Sequence, residues 1–385
     1  MVDQGKSTFV TGGPGVGKST FLRGFRKALQ LKWPRFGEVV VVAPTGSAAR
    51  TANGQTYHSF FGFPRDYEVQ RNDPVEEAAR LLKQERFRTI RRRLAFVQAL
   101  LLDEISMVAA DKFDVMCELL RQSRSAASPM CLIYTFGDFL QLGPLAGGFL
   151  AFTARSWREL FGTSMLELSL VHRQSDPDFV RAINDARYGN CSPAVMALMK
   201  ECTVTDSQYE ELRCTVLHLL PRHESVERHN SECLLKLCGA HPPKVFVAAD
   251  SVEHDKDRNP DLPLVDLSRV SVYSRNAALV DCVAPSRVLH CVGARVMLTC
   301  NQYLALGLYH GSIGAIASYK ADGTPISLSL SEAVLDIGQS FGPGMVNAAI
   351  SRVGDKRRMY VKSFTGSRLY ADRAALAFYR DGLRL

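Results

Sequence analysis

This sequence of 385 residues lacks several features that would define a class of protein. No apolar run reaches the roughly 18 residues that a membrane-spanning helix needs, so we expect no transmembrane segment. The ten cysteines include no Cys-x-x-Cys pair. Cys233, Cys238 and His241 lie close together in the chain, but no second ligand pair follows at zinc spacing, which disfavours a metal site there. Isolated cysteines are typical of buried thiols in a reducing compartment.

The composition is that of a folded globular protein, with 46% hydrophobic and 22% charged residues. The length predicts two or three domains, each large enough for a core of its own. The net charge of +8 fits a polyanionic partner, although charge alone is a weak indication. The first predicted strand begins a few residues after Met1, so we expect no signal or transit peptide in this sequence.

A glycine-rich stretch near the start of the chain is the most informative part of the sequence. Residues 12–19 match the phosphate-binding pattern G-x-x-x-x-G-K-[ST], between a predicted strand at Ser7–Val10 and a predicted helix from Phe21. Glycines let backbone N–H groups surround phosphate oxygens, and the helix N-terminus adds partial positive charge. Lys18 is expected to reach the β and γ phosphates, and Ser19 to bind Mg²⁺. The nucleotide-binding residues predicted from this loop are Gly12, Gly13, Pro14, Gly15, Val16, Gly17, Lys18, Ser19 and Thr20.

Three further apolar runs, at residues 38–43, 97–102 and 131–136, predict strands buried on both faces of a parallel sheet. Two carboxylates, Asp103 and Glu104, follow the second run. A carboxylate pair at the end of a buried strand, about 85 residues after a phosphate loop, indicates a Walker B motif. Asp103 is expected to join the Mg²⁺ shell and Glu104 to polarise the attacking water. Gln141, after the third run, is a candidate γ-phosphate sensor because ligands lie at the carboxyl ends of parallel strands.

The order of predicted elements indicates an α/β doubly wound lobe that ends near residue 163. Between its strands, residues 65–93 read as helix and loop with a basic end at Arg91–Arg93, which is usually a solvated face and less often a nucleic-acid contact. A second unit, residues 164–385, begins with the segment from Leu166 to Gln174 and continues with a helical stretch at 175–201. Short strands with glycine turns near 285–320 predict a small β subdomain. Further strands are predicted at 215–220, 333–337 and 359–364, and a helix at 343–350.

Segments along nearly the whole chain, from residue 9 to about residue 364, resemble those of one helicase family in the same order. They are TGGPGVGKST, VVVAPTGSAARTANGQTYHSFFG, ALLLDEISMV, FGDFLQLGPL, VHRQSDPDFVRAINDARYG, RHESVERHN, VGARVMLTCN, LYHGSIGAI and LDIGQSFGPGMVNAAISRV. On these motifs the sequence resembles the Pif (petite integration frequency) family of superfamily-1 DNA helicases, relatives of RecD. The combination is far more specific than the phosphate loop alone.

The resemblance implies an α/β fold with two RecA-like P-loop NTPase lobes, residues 1–163 and 164–385, and a small SH3-like β insertion in the second. It implies a monomeric ATP- and Mg²⁺-dependent helicase that moves 5′ to 3′ on single-stranded or tailed duplex DNA, in replication, repair, recombination or telomere maintenance. By the same resemblance, Lys18, Asp103, Glu104 and Gln141 serve hydrolysis, and Arg173 and Arg352 are arginine fingers. The residues that match DNA-contacting segments are Thr45, Gly46, His58 and Ser59.

The sequence departs from the family pattern in three places. The Ser-Ile-His-Lys-Ser-Gln-Gly-like motif expected before the strand at 333–337 is replaced by residues 323–329, which read Gly-Thr-Pro-Ile-Ser-Leu-Ser. The glutamine-containing helix that reads adenine does not precede the phosphate loop, and Gly143 stands where the family has proline. These departures leave an alternative, a helicase-derived nucleic-acid-binding protein with weak or uncoupled ATPase activity. A different P-loop motor is disfavoured by the HRQ and AISRV segments. In a eukaryote we expect the family's mitochondrial or nuclear location.

Overall fold

The computed structural model describes residues 5–64, 66–144, 147–162, 164–240, 242–248, 271, 286–297, 313–319, 325–328, 333–336, 345, 347, 359–362, 364 and 366–382. The chain divides into two compact units, one formed by residues 1–223 with 332–385 and the other by residues 224–331. Among the described residues, no helix is long and apolar enough to cross a membrane.

A parallel six-stranded sheet with the order β3-β2-β4-β5-β1-β6 dominates the first unit. Its strands are β1 (Thr8–Thr11), β2 (Val39–Ala43), β3 (Gln55–Thr56), β4 (Ala99–Leu102), β5 (Leu132–Phe136) and β6 (Met165–Glu167). The helices that accompany it are α1 (Lys18–Lys32), α2 (Gly46–Thr51), α3 (Tyr57–Phe61), α4 (Pro74–Leu82), α5 (Phe87–Phe96), α6 (Ala110–Gln122) and α7 (Arg155–Phe161). Because β5 lies between β4 and β1, the loops that follow these three strands meet at one edge of the sheet.

The sheet is buried on both faces, as its β-branched and aromatic strands predict. Successive residues of β1 enter different cores: Phe9 packs in one cluster with Trp157, and Val10 packs in the other with Leu22. This alternation follows from the two-residue period of a strand. The first cluster also holds Tyr379 of a C-terminal helix, so residues far apart in sequence complete the core.

A smaller parallel sheet, with the order β14-β13-β7, belongs to the same unit. Its strands are β7 (Leu217–Leu219), β13 (Ala333–Asp336) and β14 (Met359–Lys362). The helices here are α8 (Pro177–Arg187), α9 (Pro193–Cys202), α10 (Asp206–Leu212) and α12 (Arg373–Gly382). Helix α8 begins at a proline with Asp176 as its cap, and α9 begins at a proline with Ser192 as its cap.

The described residues of the second unit form a β subdomain and the long helix α11 (His223–Ala240), which begins at the last residue of the preceding segment of the first unit. Its strands are β8 (Lys244–Val247), β9 (Arg287–His290), β10 (Arg295–Met297), β11 (Ile313–Tyr319) and β12 (Pro325–Leu328). Strands β8 and β9 pair antiparallel, and β10, β11 and β12 form an antiparallel sheet. Cys291, Ala294 and Ile316 form its small core.

The predicted fold class, a mixed α/β protein with RecA-like parallel sheets, is confirmed. The stretch at 175–201, expected to be helical, contains two helices with a break at residues 188–192. The predicted division near residue 163 stays a prediction. The segment from Leu166, assigned to the second unit from sequence, contributes to β6, which pairs with β1 and extends the first sheet to Glu167. Of the helix predicted at 343–350 only residues 345 and 347 are described, and both are helical.

Candidate functional site

The loop between β1 and α1 has the backbone conformation that its glycines allow. Gly12, Gly15 and Gly17 have φ of 144°, 79° and 86°, and the last two lie in the left-handed region that L side chains rarely adopt. Gly17 is the N-cap of α1 and, among the described residues, no side chain caps that helix. The first-turn N–H groups of α1 are therefore available to an anionic ligand.

Lys18 lies at the first turn of α1 with its ammonium folded onto the loop. Its Nζ donates to the carbonyl oxygens of Gly12 at 2.7 Å and Gly13 at 3.0 Å. Burial lowers the pKa of Lys18, and the nearby carboxylates of Asp138 and Glu104 act in the opposite direction. A half-buried ammonium held by neutral carbonyls is suited to an anion that supplies the missing negative charge.

Asp103 and Glu104 follow β4 at the same edge of the sheet. Asp103 is buried, and Glu104 has a φ of 52°, an uncommon value for a residue with a side chain. The backbone N–H of Glu104 donates to Asp103 Oδ1 at 3.0 Å. Burial, with the Glu104 carboxylate beside it, raises the pKa of Asp103 to about 7. A cation beside Asp103 would offset the cost of this buried carboxylate.

These groups fit a nucleoside triphosphate with a divalent cation. The glycine backbone, the uncapped helix start and Lys18 fit the phosphates. The Ser19 hydroxyl and the Asp103 carboxylate are oxygen donors of the kind that Mg²⁺ prefers, and we assign the cation to them as a proposal. When bound, such a cation neutralises charge that develops on the phosphates. Glu104 is a carboxylate adjacent to this position and can orient a water molecule.

Gln141, the predicted γ-phosphate sensor, is held by a buried ion pair in the loop that follows β5. Its Nε2 donates to Asp138 Oδ2 at 3.0 Å. Asp138 is fully buried and receives Nε of Arg187 at 2.9 Å and its Nη2 at 3.0 Å. Burial alone would raise the pKa of Asp138, but the Arg187 guanidinium and Lys18 outweigh it and hold the pKa below its ordinary value. Gln141 therefore has a fixed anchor beside the phosphate loop.

A segment after β6 crosses the phosphate loop and brings Arg173 to it. The backbone N–H of His172 donates to the Gly15 carbonyl at 2.9 Å. A Cβ built on Gly15 would lie 3.0 Å from the Cβ of Arg173, so this arginine borders the loop directly. Arg352, the other predicted arginine finger, lies outside the described residues. The replaced motif at 323–329 is described only over Pro325–Leu328, which forms β12.

The four residues predicted to contact DNA lie after two neighbouring strands. Thr45 follows β2 and caps α2 by accepting from the N–H of Ala48 at 3.2 Å, and Gly46 is the first residue of that helix. His58 and Ser59 lie in α3, directly after β3, and the ring of His58 stacks on Tyr57 at 4.0 Å. Because Ala43 pairs with Thr56, both helices begin at the same edge of the sheet. Gly46 and Ser59 are exposed there.

Three residues of the site, Asp138, Arg187 and Tyr379, were not predicted from the sequence. A signal for Arg187 was present, because it follows Phe179 by eight residues and Ile183 by four, on the apolar face of α8. An arginine on an apolar face predicts a buried carboxylate partner. Tyr379 offered no comparable signal, since its partners lie near the start and middle of the chain. Its hydroxyl bonds the Thr11 hydroxyl at 2.6 Å and accepts from the N–H of Phe139 at 3.0 Å.

The parallel sheet and the loop after β1 define a P-loop protein with a RecA-like fold. Residues 1–192 match the model of the PIF1-like helicase family. The chain is 31% identical over 333 residues to the ATP-dependent DNA helicase PIF1 of Emericella nidulans, covering 84% of this chain and 41% of the relative. It is 23% identical to ATP-dependent DNA helicase Pif1 of Bdellovibrio bacteriovorus, covering 99% of this chain and 90% of that protein. The chain belongs to the PIF1-like helicase family.

Solved structures agree with this fold. The crystal structure of Pif1 helicase from Candida albicans superimposes with a TM-score of 0.75 at 23% identity, over 99% of this chain and 96% of that one. The Bacteroides Pif1 helicase in complex with ADP-AlF3 and ssDNA gives a TM-score of 0.67 at 21% identity, covering 99% of this chain and 94% of that one. The chain spans less than half the length of the Emericella relative. The same holds for the ATP-dependent DNA helicase PIF1 of Mus musculus, which is 31% identical and of which the chain covers 45%.

Proposed function

We propose that this chain is an ATP-dependent DNA helicase that couples hydrolysis to 5′-to-3′ movement on single-stranded DNA. The observation that carries the proposal is the convergence of Lys18, Asp103, Glu104 and the Asp138-anchored Gln141 at one edge of the sheet. The relatives' names, ATP-dependent DNA helicase, support it. So does the neighbouring structure that holds ADP-AlF3 and ssDNA.

In this proposal Lys18 and the loop N–H groups bind the phosphates, and Ser19 and Asp103 hold Mg²⁺. Glu104 orients the attacking water, Gln141 senses the γ phosphate, and Arg173 neutralises charge on that phosphate. An arginine in that role contributes roughly 10³–10⁵ in rate. Arg352 is assigned the same role from the family resemblance alone.

We propose that single-stranded DNA crosses the sheet edge where α2 and α3 begin, at Thr45, Gly46, His58 and Ser59. The first N–H groups of a helix can donate to a phosphate, and the exposed Ser59 hydroxyl and the half-buried His58 imidazole can donate to others. This path lies after strands β2 and β3, next to β4, whose end carries the carboxylates. We therefore propose that movement of DNA along this path depends on the state of the nucleotide site.

The first test is ATP hydrolysis with and without single-stranded DNA, with Lys18→Ala as the blank. We expect strong stimulation of hydrolysis by DNA. This activity should be lost in Lys18→Ala, because the phosphates lose the Lys18 ammonium. Strand displacement on a duplex with a 5′ tail, compared with a 3′ tail, tests the direction. A slow rate of ATP hydrolysis that does not change when DNA is added would refute the helicase proposal. It would favour the alternative, a helicase-derived nucleic-acid-binding protein.

A further inference from the structure

The last residue of α8, Arg187, is a buried cation that neither the motifs nor the family resemblance assigned. Its side chain is 4% exposed and lies on the same helix face as Phe179 and Ile183. A guanidinium in such a place is costly unless each donor has a partner. Its partners therefore explain why it is there.

Arg187 forms a two-bond fork with Asp138, through Nε to Oδ2 at 2.9 Å and Nη2 to Oδ1 at 3.0 Å. The third nitrogen, Nη1, donates to the Tyr188 hydroxyl at 3.1 Å and lies 4.0 Å from Glu167 Oε1. The Asp138 carboxylate also receives Gln141 Nε2 at 3.0 Å and the N–H of Leu140 at 3.2 Å. Arg187 and Gln141 thus share one fully buried carboxylate.

The same arginine packs against the phosphate loop. A Cβ built on Gly13 would lie 3.4 Å from Arg187 Cδ and 3.7 Å from its Nε. The positive charge of Arg187 acts on Lys18, whose Nζ donates to the Gly13 carbonyl. On its other side the guanidinium lies 5.2 Å from the ring of Tyr379. Arg187, at the end of α8, therefore lies beside the phosphate loop and is bonded to the Asp138 carboxylate that also holds Gln141.

We infer that Arg187 is a positioning residue for hydrolysis: through Asp138 it holds Gln141 at the phosphate site and links the loop to α8. The inference rests on the proposed ATPase function and adds a residue to it. A planar fork fixes both distance and orientation of a carboxylate, which a lysine's single ammonium does not. A displacement of about 1 Å at a positioning group can cost about 10²-fold in rate.

The competing explanation is an ion pair that only stabilises the fold. It predicts fewer folded molecules but an unchanged turnover for each folded one. The positioning role predicts a lower kcat at nearly constant ATP affinity, because in this role Arg187 acts through Asp138 and Gln141. It also predicts that Arg187 and Gln141 act as one unit, so that their losses do not multiply.

The experiment uses the full chain and measures kcat and KM for ATP with oligodeoxythymidylate present. Binding of a fluorescent non-hydrolysable ATP analogue is measured alongside. The variants are Arg187→Gln, Arg187→Lys, Gln141→Ala and the double variant Arg187→Gln/Gln141→Ala. Arg181→Gln is the matched control, since Arg181 is exposed on the same helix. Circular dichroism and gel filtration report the folded fraction, so rates are expressed per folded molecule.

We expect Arg187→Gln to lower kcat about 10²-fold with analogue affinity within about threefold of wild type. Arg187→Lys should recover part of the rate, the double variant should be no slower than the slower single variant, and Arg181→Gln should match wild type. Unchanged kcat per folded molecule in Arg187→Gln, or multiplied losses in the double variant, would overturn the inference.

If Arg187→Gln does not fold, Arg187→Lys and Asp138→Asn take its place, because each keeps a polar partner in the pair. These variants must then show the same result, a lower kcat with nearly unchanged affinity for the ATP analogue. A wild-type chain that hydrolyses no ATP with DNA present refutes the proposed function itself. A fully active wild type with an equally active Arg187 variant refutes this inference alone.

Discussion

The contact of Tyr379 with the first sheet allows a sharp test of how the C-terminal helix α12 stabilises the fold. Tyr379 is 4% exposed, and its hydroxyl joins Thr11 at the end of β1 to the backbone N–H of Phe139. Tyr379→Phe removes the hydroxyl and keeps the ring. The Thr11 hydroxyl loses one partner, and the buried N–H of Phe139 loses its acceptor.

A buried donor or acceptor left unsatisfied costs about 1–3 kcal/mol, so we expect Tyr379→Phe to lower the free energy of unfolding by about 2 kcal/mol. The ring is kept, so any cavity is limited to the volume of one oxygen atom. Urea unfolding measures the change. Trp157 lies 5.4 Å from the ring of Phe139, and a Trp33→Phe background makes it the single tryptophan that reports on this core.

Tyr370→Phe is the matched control, because Tyr370 is 40% exposed and water replaces what its hydroxyl loses. We expect it to change the free energy of unfolding by less than about 0.5 kcal/mol. An effect of Tyr379→Phe no larger than that of the control would refute the argument that these two hydrogen bonds fasten α12 to the sheet.

Three further predictions concern the phosphate loop and the packing of α4. Lys18→Ala should abolish ATP hydrolysis, because the ammonium that lies against the loop carbonyls is lost from the phosphate site; a rate close to wild type would contradict the assignment. Gly15→Ala should weaken binding of a fluorescent ATP analogue at least about tenfold. The φ of Gly15 is +79°, and the new methyl would lie 2.9 Å from a side-chain oxygen. Gly24→Ala is the control and should leave binding unchanged, because there is open space around Gly24. The Arg80 hydrogen bond lowers the pKa of Glu77 below its ordinary 4.5 against the effect of burial. Because the pKa of Glu77 is lower in the folded state, Glu77 stabilises the fold at pH values above its ordinary pKa. The difference in free energy of unfolding between wild type and Glu77→Gln should therefore shrink as the pH falls through the folded-state pKa. A gap that stays constant from neutral pH to pH 3 in urea titrations would count against it.

Local patterns in the sequence identified most of the elements that carry the site. The glycine loop was predictable because its backbone conformation demands glycine at Gly15 and Gly17. Strands β2, β4 and β5 were predictable because β-branched and apolar runs of four to six residues suit a sheet buried on both faces. The carboxyl ends of neighbouring parallel strands then place Asp103 and Gln141 at one edge.

The sequence was less informative about which sheet a segment joins, because that depends on the strand with which the segment pairs. The segment from Leu166 was assigned to the start of the second unit, but its first residues belong to β6, which pairs with β1 in the first sheet. Periodicity reports that a segment is a strand and says nothing about which strand it pairs with. The break between α8 and α9 was also missed, although Pro193 and its cap Ser192 mark a helix start.

The sequence by itself determined the chemistry that is encoded within a few residues: the phosphate loop, the carboxylate pair and the alternation of strands and helices. Only the tertiary structure decided the contacts made between distant segments. Arg187 meets Asp138 across 49 positions, and Tyr379 meets Thr11 across 368. The reason is physical: a buried charge or hydroxyl must find a partner wherever the packed core places one, and nothing in the flanking residues records where that is.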